Sequence, residues 1–302
     1  MSRIREALEK AAKERSVRGS GQTSGDIIDI LEAETPGGAS VRTEVQPRAN
    51  ESPRNVAAVP PEFAALVSAC RTVEFVPTCC VFAKDASDYA AAERFRTLRS
   101  RLFQISCTRP LRCLLLTSSV PGEGKTFVAS NLAQSFTRQA GRKALLIDAD
   151  LRVSRLHHAL GAQNEPGLSD YLKGDADLTE VLQVGKDGGL CFIPAGTLVS
   201  DPSGLLHGEK MKALLERMAR IFDWVILDSP PAIAVHDASI LADMCDGVLF
   251  VVRAGATDFA IAQKAAAEFQ DEKLLGVVLN RADRSESYGE YYYGYSSAKR
   301  PD

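Results

Sequence analysis

From about residue 86 onward, short apolar runs bounded by turn residues alternate with segments of helical period. The runs Cys113–Thr117, Ala144–Ile147, Leu190–Ile193, Trp224–Leu227, Val248–Val252 and Gly276–Leu279 are apolar on successive residues, which predicts strands covered on both faces. Helical spacing predicts a long helix over Asp88–Gln104 and further helices near Thr126–Gln139, Glu209–Ile221, Ala238–Asp243 and Phe259–Asp271. The alternation defines an α/β fold, a parallel sheet flanked by helices on both faces. Ligands of such sheets bind at the carboxyl ends of the strands.

Ahead of residue 86 the pattern is different. Ile4, Ala7, Leu8 and Ala11 recur at helical spacing and predict an amphipathic helix over 1–18, either docking on a partner or membrane surface or simply solvated. Residues 19–85 read as a linker, largely disordered, rich in Gly, Ser, Pro, Thr and Glu. Within it Ile27–Leu31 is expected as a transient helix. The more apolar stretch 61–85, with Phe63, Val73, Phe75, Val81 and Phe82, reads as a strap against the main domain. The folded domain is placed at 86–283 and a flexible tail at 284–302.

Composition narrows the class. The 302 residues are 45% hydrophobic and 25% charged, with net charge −3, so no basic field points to nucleic acid. No apolar run approaches the roughly 20 residues that span a bilayer, and the N-terminus lacks the apolar core of a secretory signal. Seven cysteines without CxxC spacing read as reduced thiols. Together these place the chain in the cytoplasm.

The chemistry begins at Ser118-Ser-Val-Pro-Gly-Glu-Gly-Lys-Thr126, between the first strand and a helix. It holds the GK[ST] of a phosphate-binding loop, with Ser119 where the first glycine commonly stands. Loop residues Ser119, Pro121, Gly122, Glu123, Gly124, Lys125, Thr126 and Phe127 are the expected nucleotide contacts, because inward N–H groups and a helix N-terminus favour phosphate. Lys125 would neutralise phosphate charge and Thr126 would ligate Mg²⁺. Leu145-Leu-Ile-Asp-Ala-Asp-Leu-Arg152 ends the next strand with two carboxylates, and Val225-Ile-Leu-Asp-Ser-Pro-Pro231 ends another with a third. Three aspartates at neighbouring strand ends suit Mg²⁺, a hard cation, against the plainer reading in which Asp148 or Asp150 merely caps the following helix. Asn280, after the last strand, would read an adenine edge or merely shape a turn.

Five of the seven tyrosines fall within Tyr288-Gly-Glu-Tyr-Tyr-Tyr-Gly-Tyr295, a stretch without apolar partners. Phenols beside a nucleotide loop in one chain suggest phosphoryl transfer to Tyr288, Tyr291, Tyr292, Tyr293 and Tyr295. A phenol has a pKa of about 10, so its proton needs an acceptor. Asp148 is the expected base, with Asp150 and Asp228 turned to the metal.

Over residues 88–296 the chain resembles the bacterial tyrosine kinases that regulate capsule and exopolysaccharide synthesis. The matches run in order: Glu93-Arg-Phe-Arg-Thr-Leu-Arg99, the SSVPGEGKT loop, LLIDADLR, Gly167-Leu-Ser-Asp-Tyr-Leu-Lys-Gly174, Ile193-Pro-Ala-Gly196, Asp201-Pro-Ser-Gly-Leu-Leu206, VILDSPP with Asp237 beyond it, Gly276-Val-Val-Leu-Asn280, and the tyrosine cluster. The opening MSRIREALEKA is similar to the soluble, exosortase-associated branch. The resemblance implies an ATP- and Mg²⁺-dependent autokinase whose catalytic residues are Lys125, Asp148, Asp150 and Asp228, with Arg152 also at the nucleotide. It implies a ring in which Glu93, Arg96 and Arg99 meet a neighbouring copy; without it, these would read as a solvated charged stripe. It further implies activation by the cytosolic segment of a separate membrane adaptor of the polysaccharide chain-length type, recruitment to the inner membrane face, and reversal by a tyrosine phosphatase. Val153-Ser154 depart from the usual basic residue and proline, and Gly204 stands where an acidic residue is common.

The competing expectation is a partitioning or division-site ATPase of the same class, acting as a dimerisation switch. That class carries a further lysine five residues before the phosphate lysine, where this chain has Val120.

Overall fold

The computed structural model describes residues 29–32, 61–82 and 89–282. The predicted helix 1–18 and the cluster Tyr288–Tyr295 lie outside the described residues.

The strands are β1 (Asp29–Glu32), β2 (Arg71–Val73), β3 (Cys113–Ser118), β4 (Ala144–Asp148), β5 (Gln183–Gly185), β6 (Leu190–Ile193), β7 (Trp224–Asp228), β8 (Gly247–Arg253) and β9 (Leu274–Asn280). They form one sheet in the order β1-β9-β8-β3-β7-β4-β6-β5-β2. The six strands β9, β8, β3, β7, β4 and β6 are mutually parallel. β1 joins β9 antiparallel, and β5 turns back on β6. The central strands are buried along their whole length, as their uninterrupted apolar character requires.

Side chains alternate between two cores. Leu114, Leu116, Leu146 and Ile226 face the layer holding the Tyr89–Thr108 and Lys125–Thr137 helices. Leu115, Ile147, Val225 and Leu227 face the opposite layer, with the Glu209–Ile221 and Asp237–Met244 helices. Phe136 stacks on Trp224 with ring centroids 4.2 Å apart, fixing the phosphate-loop helix on β7. The alternation thus holds β3, β4 and β7 rigidly side by side, and their carboxyl ends carry the site.

Two expectations change ahead of residue 89. Ile27–Leu31 was expected as a helix, but Asp29–Glu32 is a strand on β9. The stretch Asp26-Ile-Ile-Asp-Ile-Leu-Glu32 does not alternate, and a four-residue strand is too short to display a period of its own. Nor is 19–85 linker throughout. Pro61–Ala69 is a helix whose Phe63 and Leu66 are buried, Phe63 meeting Phe222 edge-on at 5.4 Å. β2 then adds a parallel edge strand to β5.

Within the stretch 61–85 expected as a strap, residues 74–82 are held on the domain by backbone as well as apolar contacts. Val76 and Thr78 donate N–H to the Leu160 and Ala159 carbonyls. Asn131, fully buried in the phosphate-loop helix, accepts from the Val81 N–H and donates to the Cys79 carbonyl, both at 2.9 Å. Arg138 donates to the Phe82 carbonyl at 2.8 Å and lies over the Phe82 ring. All seven thiols are free.

Candidate active site

β3 ends at Ser118 and the next helix starts at Lys125. The intervening turn needs left-handed backbone at Gly122 (φ 84°) and Gly124 (φ 94°), which glycine adopts without steric cost. At Gly124 a Cβ would also stand 2.0 Å from Asn280 Nδ2, so no side chain fits. Pro121 and Gly122 form the exposed tip.

Glu123 is buried, and its carboxylate serves the loop's shape. It accepts from the Val120 N–H (2.8 Å), the Arg253 N–H (3.3 Å) and the Thr257 hydroxyl. Asn280, also buried, donates from Nδ2 to the Glu123 carbonyl (2.8 Å) and accepts the Arg281 N–H (3.0 Å). Both residues were expected at the nucleotide. Instead their side chains brace the loop from beneath, and the adenine-reading role for Asn280 is not what this geometry supplies. The Phe127 ring likewise turns away to pack on Phe95, centroids 5.9 Å apart.

Lys125, Thr126, Asp148, Asp150 and Asp228 do come together. Thr126 Oγ1 donates to Asp228 Oδ2 at 2.6 Å, and Lys125 Nζ lies 3.2 Å from Asp150 Oδ2. Burial disfavours the Lys125 charge, but the Asp228 and Asp150 carboxylates outweigh it and raise the lysine pKa. Asp150 also accepts the Val153 N–H at 2.9 Å. Burial pushes Asp228 up to about 6, opposed by Lys125 and by the Thr126 hydroxyl.

Asp148 is fully enclosed. Oδ2 accepts from the Ser154 hydroxyl (2.8 Å) and the Leu156 N–H (3.1 Å), and Oδ1 from the Asp150 N–H (3.2 Å). Burial, then the neighbouring Asp228 charge, push it up to about 7. Ser154, one of the two departures from the family pattern, therefore makes a contact that proline could not. An open catalytic base, as expected for Asp148, is not the arrangement found.

Arg152 was also expected at the nucleotide. Its guanidinium is bidentate on Asp237 (2.7 and 3.1 Å) and reaches Ser203 Oγ at 2.9 Å. Burial would raise the Asp237 pKa, but the hydrogen bonds from Arg152 and Ser203 hold it below the usual carboxylate range. Arg152 thus ties the loop after β4 to the Pro202–Leu206 and Asp237–Met244 helices. Ser203, Arg253 and Thr257 are site-shaping residues to which sequence reasoning gave no role; Ser203 lay within the quoted Asp201–Leu206 match, and Arg253 closes an apolar strand run.

Glu93, Arg96 and Arg99 lie on the Tyr89–Thr108 helix. Glu93 and Arg96 pair with each other at 2.7 Å, whereas Arg99 donates to the Ser135 carbonyl at 2.6 Å. Burial and the nearby Arg96 charge lower the Arg99 pKa. Arg99 is thereby partly committed within its own chain, leaving Glu93 and Arg96 as the exposed part of the motif.

Among the described residues, four buried side-chain polar atoms lack a hydrogen-bond partner: Ser119 Oγ, Asp228 Oδ1, Arg253 Nε and Gln183 Oε1. The first three belong to residues at the carboxyl edge around the loop. Unpaired buried polar atoms are costly, so their concentration here marks a place prepared for a polar ligand. Among the same residues, no three His, Cys, Asp or Glu side chains converge as a metal cage. The expected magnesium ligands Thr126, Asp150 and Asp228 do meet at the loop, with Asp150 engaged by Lys125. One carboxylate, Asp228, and the Thr126 hydroxyl still suit Mg²⁺, which keeps several waters and binds through few protein groups plus phosphates. The residues thus fit a magnesium nucleotide.

A glycine loop between a buried strand and a helix, with lysine, threonine and a strand-end aspartate around it, defines a P-loop nucleotide-binding domain. The profile of the CobQ/CobB/MinD/ParA nucleotide binding domain family matches residues 114–300. Within that class the chain belongs to the bacterial tyrosine-protein kinase family: it is 36% identical over 207 residues to tyrosine-protein kinase YwqD of Bacillus subtilis, covering 67% of this chain and 86% of that one. Among solved structures, the kinase domain of Escherichia coli tyrosine kinase ETK matches with TM-score 0.59 and 35% identity over 66% of this chain and 80% of that one. The chimerical protein CapA2B2 matches with TM-score 0.64 and 26% identity over 71% and 94%. No helix of the described residues is long and apolar enough to cross a membrane.

Proposed function

We propose that this chain transfers the γ-phosphoryl group of ATP to tyrosine hydroxyls in the tail of another copy: Tyr288, Tyr291, Tyr292, Tyr293 and Tyr295. The observation carrying this reading is the Lys125, Thr126 and Asp228 constellation around the glycine loop, in a chain of a tyrosine-kinase family. Gly122, Gly124 and Lys125 hold the phosphates, and Thr126 with Asp228 holds Mg²⁺, which supplies charge neutralisation on the transferring group. The Lys125 side chain is only 15% exposed, so its charge acts in a low-dielectric setting where it counts for more. Its pair with Asp150 keeps the ammonium at the loop.

The phenol is neutral at pH 7 and its proton must be oriented or accepted. Asp148 can do this only by exchanging its hydrogen bonds from Ser154, Leu156 and Asp150 when substrates arrive. Asp150, bonded to Lys125 at the same strand end, is the alternative acceptor. The Glu93–Arg96 pair supplies an exposed charged face for a ring of copies. In the cell we place the kinase in the cytoplasm, recruited to the membrane by an adaptor segment, reversed by a phosphatase, and regulating exopolysaccharide synthesis.

The partitioning-ATPase alternative lacks its extra lysine: Val120 stands there, with its N–H on Glu123. Intact-mass measurement after incubation with Mg-ATP, with and without tyrosine phosphatase, separates the two. Mass steps of one phosphate that phosphatase removes are expected, and replacing the five tail tyrosines with Phe should abolish most of them. ATP turnover without any mass gain would instead establish the ATPase.

A further inference from the structure

Outside the site, one tyrosine stands apart from the other described one. Tyr171 is half-buried, with the Lys210 ammonium 4.6 Å from its ring centroid. Tyr89 opens the Tyr89–Thr108 helix and is 73% exposed. Its hydroxyl lies 3.5 Å from Glu93 Oε1, and the Arg96 guanidinium carbon is 5.7 Å from its ring centroid. Positions 89, 93 and 96 share one helix face. Arg96 now gives its hydrogen bond to Glu93 at 2.7 Å.

Resting on the kinase reading above, we propose that Tyr89 is a further phosphoacceptor, and that its phosphate takes Arg96 from Glu93. In the transfer the Tyr89 oxygen bonds to the γ-phosphorus of ATP, the bond from that phosphorus to the bridging oxygen of ADP breaks, and the phenol proton leaves to a carboxylate or water. The product adds about −1.5 to −2 of charge beside the Glu93 carboxylate. Like charges at that separation repel, and Arg96 is the guanidinium already resting on the ring. A phosphate offers three acceptor oxygens and matches the guanidinium fork, so Arg96 transfers to it. The modification thereby frees Glu93 and cancels Arg96 on the exposed face. Placement at the first turn of a 20-residue helix favours the added negative charge further.

The test uses the full chain incubated with Mg-ATP and mapped by tandem mass spectrometry. Phosphate on Tyr89 alongside the tail is expected, and absent in Lys125→Met. Phosphotyrosine in the tail with Tyr89 unmodified overturns this inference alone; phosphotyrosine nowhere in the chain overturns the kinase reading and this inference with it. The chain with all five tail tyrosines changed to Phe then isolates the Tyr89 phosphate for phosphorus NMR. Its second ionisation should fall below the usual value of about 6 and return to it in Arg96→Gln. Identical titration in the two proteins shows that Arg96 does not hold the phosphate and overturns the exchange.

Discussion

Thr126 Oγ1 and Asp228 Oδ2 lie 2.6 Å apart, joining the first turn of the phosphate-loop helix to the end of β7. The other Asp228 oxygen is buried and without a partner. The pair is held by two rigid elements, so its geometry exists before any ligand arrives. Asp228→Asn keeps the shape and removes the charge. Phosphoryl transfer should fall by about 10²- to 10³-fold, the usual loss for one preorganised charged contact, with the far-ultraviolet circular dichroism unchanged. A rate within twofold of the parent at saturating Mg-ATP would remove Asp228 from metal binding.

Lys125 answers to two acids, bonded to Asp150 and raised in pKa by Asp228 as well. Lys125→Met should abolish tyrosine labelling while leaving the protein folded. Labelling at the parent rate would take this loop out of the mechanism.

Asn280 braces the Glu123 carbonyl from below. Asn280→Ala should weaken ATP binding by roughly five- to tenfold, the worth of about one net hydrogen bond. Its preference for ATP over GTP should stay the same. Binding of both nucleotides by calorimetry checks this, and a collapsed preference would restore the base-reading role.

Burial and the neighbouring Asp228 push Asp148 up to about 7, against about 3.9 for an exposed aspartate. Between those values the folded state binds more protons than the unfolded one. Stability without ligand therefore falls as pH rises through that window. Asp148→Asn removes the term. The melting temperature of the parent should drop relative to the variant from about pH 5, inside the window, to about pH 7, its upper edge. Parallel melting curves for the two proteins would contradict the burial argument.

Asn131 is the clasp between the strap and the phosphate-loop helix. Asn131→Leu leaves the Val81 N–H and Cys79 carbonyl without partners at a cost of about 1–3 kcal/mol. A lower melting point and new protease cuts within 74–82 are expected. Unaltered protection of that segment would show that apolar contacts alone hold it.

The sheet was legible because β3, β4, β7, β8 and β9 are buried on both faces and so are written as unbroken apolar runs. The loop was legible because phosphate binding demands glycine, lysine and threonine at fixed spacing. The three-residue strands β2 and β5 were not, since three residues are too few to display a period. Nor were the partners of Arg152 and Glu123. Arg152 meets Asp237 and Glu123 meets Thr257 across 85 and 134 positions, separations that no local pattern encodes. Residue type pointed to the right edge of the sheet in each case. Only the fold decided whether a polar group faces the ligand or the loop that holds it.

The strap has a bearing on where this catalytic body starts. A chain begun at residue 86 would leave Phe222 without Phe63, bare the β5 edge, and strip Asn131 of its two backbone neighbours. Two of these losses uncover a sticky seam, an aromatic hollow and an unpaired ribbon margin, and the third opens the clasp to water. Trimmed there, the enzyme should clump; trimmed ahead of Pro61 it keeps these three contacts and gives up only the β1 cover of β9.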